Sequence, residues 1–304
     1  MPLLTRAPAL LAGVLAALAL TPVMAAGAPF AVVADDDGRV VIDEKPTRII
    51  SLSPAATETL FRIGAGDQVV AVDDQSNFPK NAPRTKLSGF TPNVEAIARF
   101  RPDLVVAEGD RNGLFEGLKK LSIPVMKQTA PSGRAAMYRQ WRELGKATGN
   151  RVRANRLAAW TNRRIRNIIR RTPTGNGIRV YHEISPDFFS AQSKTFVGKA
   201  YRQFGMSNIA DRAPDRFGAG FPQLSSEFIV SRDPDLIVLG DARCCGQNLA
   251  TVRARPGWSG IDAVKSRNVV ATNDDITQRW GPRIWLFYNV IAKRVTALKR
   301  ASAR

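Results

Sequence analysis

VEAIARFRPDLVV, residues 94–106, returns in outline as SEFIVSRDPDLIV, residues 226–238. Each copy carries a Glu (Glu95, Glu227), an Ile two residues on, a Pro-Asp-Leu that begins seven residues after the Glu, and then an apolar, mostly β-branched run. A Gly-Phe pair stands upstream of each at nearly the same distance, Gly89-Phe90 and Gly220-Phe221. A proline that ends a helix just before a strand explains the Pro-Asp-Leu corner alone. The matched Glu and Phe answer no backbone requirement, and they point to two equivalent units in one chain.

Reading outward, RIISLS (48–53) has the pattern of a strand, PAATETLFRIG (54–64) that of a helix opened by Ser53 and Pro54 and closed by Gly64, and QVVAVDD (68–74) that of the next strand. A helix from Pro92 to Phe100, the strand DLVVAE, a helix through Leu121, the strand IPVMKQ and a helix from Arg134 to Thr148 follow. Strict alternation of this kind predicts a mostly parallel sheet with helices on both faces. Pro173 and TGNG (174–177) then reset the chain. A second series runs through IRVYHEI, helices at 199–204 and 225–231, the strands DLIVLG and NVVATN, and a terminal helix from Trp280 to about Leu298.

Between the two series lies NRVRANRLAAWTNRRIRNIIRR, residues 150–171, in which Leu157, Trp160, Ile165, Ile168 and Ile169 recur near helical spacing among arginines. A helix of that length spans roughly 33 Å at 1.5 Å per residue and can bridge two lobes as a rod. The expected fold class is therefore α/β, two lobes with mostly parallel sheets joined by one long interlobe helix. The expected boundaries are 1–28 for a signal peptide, 29–149 for the amino-terminal lobe, 150–172 for the interlobe helix and 173–304 for the carboxy-terminal lobe.

The signal peptide rests on Arg6, the apolar run Ala9–Leu20 and the small residues 24–28. That run falls short of the roughly twenty apolar residues of a membrane span. The 304 residues and 44% hydrophobic content suffice for two lobes of roughly 120 to 140 residues. Only Cys244 and Cys245 are present, side by side, so no long loop is closed by a disulfide within the chain; a strained vicinal bond, two free thiols or intermolecular pairing are open to them. The formal charge of +19 is densest on the arginine-rich helix. It has no nucleic-acid motif beside it, so that helix is expected to present a solvated basic face, drawn at most to anionic surfaces, with no specific nucleic acid as partner.

Enzymatic signatures are missing: no G-x-S-x-G elbow, no P-loop, no G-x-G-x-x-G after a strand, and a single histidine, His182. A metal-dependent hydrolase would need a cluster of histidines and carboxylates, and a structural zinc site would need four ligands. No catalytic residue, metal ligand or cofactor is assigned, and the expectation is a protein that is not an enzyme. Asp35-Asp36-Asp37 falls in an amino-terminal segment read as disordered. Two lobes without catalytic groups describe a binding protein, with ligand contacts in the loops after the strands. The candidates are Gln75 and Phe90 from the first lobe, and His182, Phe188, Phe221, Asp275, Arg279 and Trp280 from the second. His182, in an apolar strand, reads first as packing or a strand-end hydrogen bond and second as a ligand contact. The aromatic bias suits a large flat or macrocyclic ligand held by stacking and a few polar contacts.

RIISLSPAATETLFRIGAGDQVVAVDD (48–74), NVEAIARFRPDLVV (93–106), FPQLSSEFIVSRDPDLIV (221–238) and TQRWGPRI (277–284) resemble, in order and spacing, the substrate-binding proteins of ABC importers for vitamin B12 and iron complexes. The resemblance runs from about Arg48 to the last helix. It implies limited closure of the lobes on ligand, and docking on a membrane permease through one surface carboxylate per lobe, Glu95 and Glu227. Either Glu also suits the first turn of a helix on its own account. Corrinoid binders of the family place aromatics in the cleft, and Phe90, Phe221, Asp275 and Arg279 fall at matching places, while Gln75 stands where an aromatic is expected. The implied ligand is a metal chelate, a corrinoid first and a ferric siderophore or haem second. With no Cys near the cleavage region to take a lipid, the expected product is a periplasmic or secreted monomer.

Overall fold

Two four-stranded sheets, each wholly parallel, carry the two series. The computed structural model describes residues 28–216 and 218–303. The expected signal peptide therefore lies, but for its last residue, outside the described residues. The first series comprises β1 (Ala31–Ala34), β2 (Arg39–Ile42), β3 (Ile49–Leu52), α1 (Pro54–Arg62), β4 (Val69–Val72), α2 (Val94–Ala98), β5 (Leu104–Ala107), α3 (Leu114–Lys120), β6 (Val125–Lys127) and α4 (Arg134–Ala147). After α5 (Arg151–Arg170) come β7 (Arg179–Glu183), α6 (Phe196–Gln203), β8 (Ser207–Asn208), α7 (Ser226–Arg232) and β9 (Leu236–Leu239). The chain ends with α8 (Ala242–Cys245), α9 (Leu249–Arg253), α10 (Asp262–Lys265), β10 (Val269–Ala271), α11 (Asp274–Thr277) and α12 (Trp285–Ser302).

The strand orders are β4-β3-β5-β6 and β8-β7-β9-β10. In both, the sheet's first strand in chain order, β3 or β7, pairs with the strand of the Pro-Asp-Leu motif, Ile50 opposite Val105 and Tyr181 opposite Ile237. The repeated sequence thus occupies the same place in both sheets. Every residue of β3, β5 and β9 is buried, as in sheets covered by helices on both faces.

The corner explains its own aspartate. The Asp103 carboxylate accepts from the backbone N–H of Thr47 and Arg48 at 2.6 and 2.9 Å, and Asp235 accepts from the N–H of Arg179 at 2.7 Å. Each carboxylate satisfies the amides where the neighbouring strand begins, and the strand's arginine reaches back to carbonyls at the end of the preceding helix, Arg48 to Phe100 O and Arg179 to Arg232 O. A left-handed residue precedes the proline in both: Asp233, the cap of α7, at φ 43°, and Arg101, two residues past the cap of α2, at φ 47°.

Helix α5 turns Ala154, Leu157, Ala158, Thr161 and Ile165 inward and lies against α4 and α12. One apolar layer continues through it, from Trp141 and Leu144 of α4 to Phe287 and Ile291 of α12. Full burial of a Leu or Phe side chain contributes about 1.5 to 3 kcal/mol, so this shared layer resists large relative motion of the sheets. Trp160, placed by spacing on the apolar stripe, is instead 42% exposed and meets Trp285 edge-on at 6.0 Å.

Two expectations are corrected. Residues 31–42 form an antiparallel hairpin rather than a disordered segment. Asp35 accepts from the N–H of Gly38 at the turn and of Lys127 in β6, and Asp36 accepts from the N–H and hydroxyl of Thr129, so the acidic run docks the hairpin beside the sheet. The last helix starts at Trp285, not Trp280, because residues 281–284 turn before it. A Cβ on Gly281 would lie 3.0 Å from Glu58 Oε2, and this close approach brings Arg283 against the first lobe.

Candidate ligand-binding cleft

Open α/β sheets bind ligands beyond the carboxyl ends of their strands, and here those ends face each other across a cleft. Its larger cavity, about 610 Å³, has mainly apolar walls, among them Pro131 after β6, Ile184 and Phe189 after β7, Phe196, Phe221 and Trp280. The smaller, about 270 Å³, is bounded by Asp73, Gln75 and Phe90 from the first lobe, with Glu108 after β5, and by Arg279 and Trp280 from the second. Gln278 and Trp280 line both, so the two cavities are neighbouring parts of one cleft.

Polar ties cross the cleft. Asp275 is 5% exposed and lines neither cavity. It accepts from Asn77 Nδ2 at 3.2 Å and pairs with Arg279 at 2.9 Å and Arg243 at 3.1 Å. Arg279 in turn donates to Asn77 Oδ1 at 2.9 Å and to the carbonyl of Gln75 at 3.1 Å. Farther along, Arg283 grips Glu58, and Lys199 donates to the carbonyl of Ser132. Burial pushes the Glu58 carboxyl above its ordinary value, with the hydrogen bond and charge of Arg283 opposing.

The floor of the smaller cavity is acidic. Burial raises the Asp73 carboxyl to about 6; hydrogen bonding from Ser76 opposes the shift and the charge of Asp74 adds to it. Glu108 is also raised, mainly by burial, although Ser53 Oγ donates to it at 2.8 Å. Gly89 lets its loop cover this floor: a Cβ there would lie 2.6 Å from the carbonyl of Leu52 and 3.1 Å from Asp73 Oδ2.

Of the residues expected at the ligand, Gln75, Phe90, Phe221, Arg279 and Trp280 line the cleft. Asp275 stands behind Arg279 and orients it. His182 and Phe188 do not belong to the cleft walls. His182 is completely buried, its Nδ1 2.7 Å from the Tyr201 hydroxyl and its ring edge-on to Phe287; burial alone pushes its pKa down to about 3, so it is neutral. It packs with aromatic side chains on a strand, where the side chain of a buried residue meets the helix layer rather than the strand end. Phe188, at φ 65°, stacks on Trp258 at 5.6 Å with the Arg255 guanidinium 5.2 Å from its ring centroid, and its neighbour Phe189 takes the cleft position.

Glu95 and Glu227 are exposed in the first turns of α2 and α7, behind the N-caps Asn93 and Ser225. A backbone hydrogen bond and the Ser225 hydroxyl hold Glu227 below its ordinary range. Cys244 and Cys245 are not joined by a disulfide, their Sγ atoms lying 2.6 Å apart, and Cys244 reaches the smaller cavity.

Sequence reasoning picked none of Glu58, Arg283, Asp73, Glu108 or Phe189 as a ligand contact, although Glu108, Phe189 and Arg283 stood in the loops expected to meet the ligand. Glu58 and Arg283 stood inside quoted motifs, and their pairing across 225 positions has no local signal. Asp73 and Glu108 were legible as carboxylates directly after strands.

An uncharacterized ABC transporter substrate-binding lipoprotein of Bacillus subtilis is 30% identical over 90% of this chain and 93% of its own length. A cobalamin-binding protein of Halobacterium salinarum is 32% identical over 81% of this chain and 68% of its own. The fold matches the periplasmic vitamin B12-binding protein of Vibrio cholerae with a TM-score of 0.71 at 22% identity, covering 84% of this chain and 98% of that one. It matches a periplasmic haem-binding protein of Roseiflexus equally well, TM-score 0.71 at 23% identity, covering 83% and 98%. The family model for periplasmic binding proteins matches residues 49–276, and the chain belongs to that family.

Proposed function

We propose that this protein captures a metal-chelate nutrient, a corrinoid such as vitamin B12, outside the cytoplasmic membrane and delivers it to the permease of an ABC importer. The observation that carries the reading is the cleft between the two sheets, where Phe90 from one lobe and Phe221 and Trp280 from the other flank a space with mainly apolar walls in its larger part and carboxylates in its smaller. Exposed aromatics lining a shared cleft suit a broad ligand with apolar faces. Cobalamin-binding relatives at 32% identity support the corrinoid. The smaller cavity offers carboxylates, and His182, buried away from the cleft, is not placed to ligate a haem iron there. Glu95 and Glu227, exposed at matched positions of the two lobes, serve as the permease handles in this reading.

Calorimetry against cyanocobalamin, haemin and a ferric hydroxamate tests the assignment. Tightest binding of cyanocobalamin is expected. A clear preference for haemin or the hydroxamate would move the protein to iron uptake, and no binding of any of the three would remove the chelate reading.

A further inference from the structure

We propose that Asp73 and Glu108 form an acceptor pair that selects a ligand by the N–H donors on its rim and rejects one that presents carboxylates there. The inference rests on the reading of the cleft as a corrinoid site. Asp73 is 2% exposed, lines the smaller cavity, and its Oδ1 has no hydrogen-bond partner. A buried, unpaired carboxylate oxygen carries a desolvation cost that a ligand donor would relieve. Glu108 lines the same space, with Oε1 held by Ser53, and Asp274 faces it from the second lobe, its Oδ1 likewise without a partner.

Two arginines also border the cavity, and neither neutralises this floor by hydrogen bonding. The donors of Arg279 are directed to Asn77, the Gln75 carbonyl and Asp275. Arg111 is exposed, its guanidinium 5.2 Å from the Phe90 ring centroid. What the buried floor of the cavity offers an incoming group is therefore acceptors, with the exposed Arg111 at its edge. Primary carboxamides, which edge a corrinoid, match them. Carboxylates, which edge haem and many chelators, would bring like charges together in a poorly solvated space. Burial has already raised both carboxyls, and donors from a ligand would favour their ionised forms.

The test compares one macrocycle with two rims: dicyanocobinamide, edged by amides, and dicyanocobyrinic acid, edged by carboxylic acids. Calorimetry at pH 7.5 on the full chain should show the amide form bound at least about tenfold tighter, the ratio expected from one hydrogen bond to a charged group. Asp73→Asn and Glu108→Gln should each narrow that ratio, by loosening the amide form, tightening the acid form, or both. An unchanged ratio in folded forms of both variants overturns the acceptor pair while leaving the corrinoid site standing. If neither macrocycle binds the unaltered protein, the corrinoid reading fails and this inference fails with it. Should Asp73→Asn not fold, the Glu108→Gln ratio decides.

Discussion

Arg283 and Glu58 close a two-point ion pair across the cleft, Nη2 2.5 Å from Oε1 and Nε 2.9 Å from Oε2, with Glu58 only 3% exposed. Glu58 belongs to α1 of the first lobe, and Arg283 to the turn before α12 of the second. The pair therefore fixes how the lobes face each other. The Arg283 guanidinium also sits 4.0 Å from the Phe78 ring centroid, which adds a first-lobe aromatic to the clasp.

Removing one partner of a buried pair costs more than removing both, since a lone buried charge remains. Arg283→Met should destabilise the protein by about 3 to 5 kcal/mol near neutral pH. The double variant Glu58→Gln/Arg283→Met should recover a large part of that loss. A denaturant double-mutant cycle measures both, and additive losses would show that the two side chains do not act as a pair.

The aromatics of the cleft should matter for binding and little for folding. Phe90 is 61% exposed and Phe221 40%, so truncation opens no core cavity. Phe90→Ala and Phe221→Ala should keep the melting temperature within a few degrees and weaken binding of the preferred chelate by about 1 to 3 kcal/mol each, the usual value of buried apolar contact. Unchanged affinity in both would place the ligand elsewhere in the cleft.

How much of this was legible beforehand depended on the range of the interaction. The parallel sheets, the long helix and the echo between residues 94–106 and 226–238 were readable, because strand and helix periods are local. The hairpin at 31–42 was not: its acidic turn looks like a solvated run until Thr129 and the Lys127 amide are brought beside it. His182 and Phe188 were misplaced for a related reason. Whether a residue at a strand end or in the following turn faces the cleft depends on backbone details such as the positive φ at Phe188, which composition does not reveal. Asp275 was chosen as a ligand contact, but its partners Asn77, Arg243 and Arg279 make it a support for Arg279.

The docking role proposed for Glu95 and Glu227 gives a prediction that separates docking from capture. Glu95 and Glu227 sit on α2 and α7, and neither lines the cleft cavities. Glu95→Lys or Glu227→Lys should weaken binding to the permease in detergent or nanodiscs, and reduce uptake, with ligand affinity changed less than about twofold, since charge reversal at a rim acts on the partner that meets it. Loss of ligand affinity with docking intact would put these residues on the wrong surface.

The acceptor role proposed for Asp73 has a counterpart in stability. Its carboxyl rises from an ordinary 3.8 to about 6 in the folded chain, chiefly through burial; Asp74 adds to the rise, and Ser76 and Arg279 oppose it. Since the folded form holds this proton more tightly than the unfolded chain does, the group's contribution is fully present below about pH 4. It is lost as pH climbs through about 6, where the folded carboxyl ionises. Near pH 7.5 a buried ionised Asp73 without a partner on Oδ1 should therefore destabilise the ligand-free protein, by an order of about 2 to 3 kcal/mol from the size of the shift. Asp73→Asn removes the charge at nearly constant shape. It should raise ligand-free stability at pH 7.5, give little gain at pH 4, and flatten the decline between them. Urea unfolding of the two proteins at pH 4, 6 and 7.5 measures the difference. A variant no more stable at pH 7.5 than at pH 4, relative to the unaltered chain, would show that the ionised carboxylate is already satisfied there without ligand.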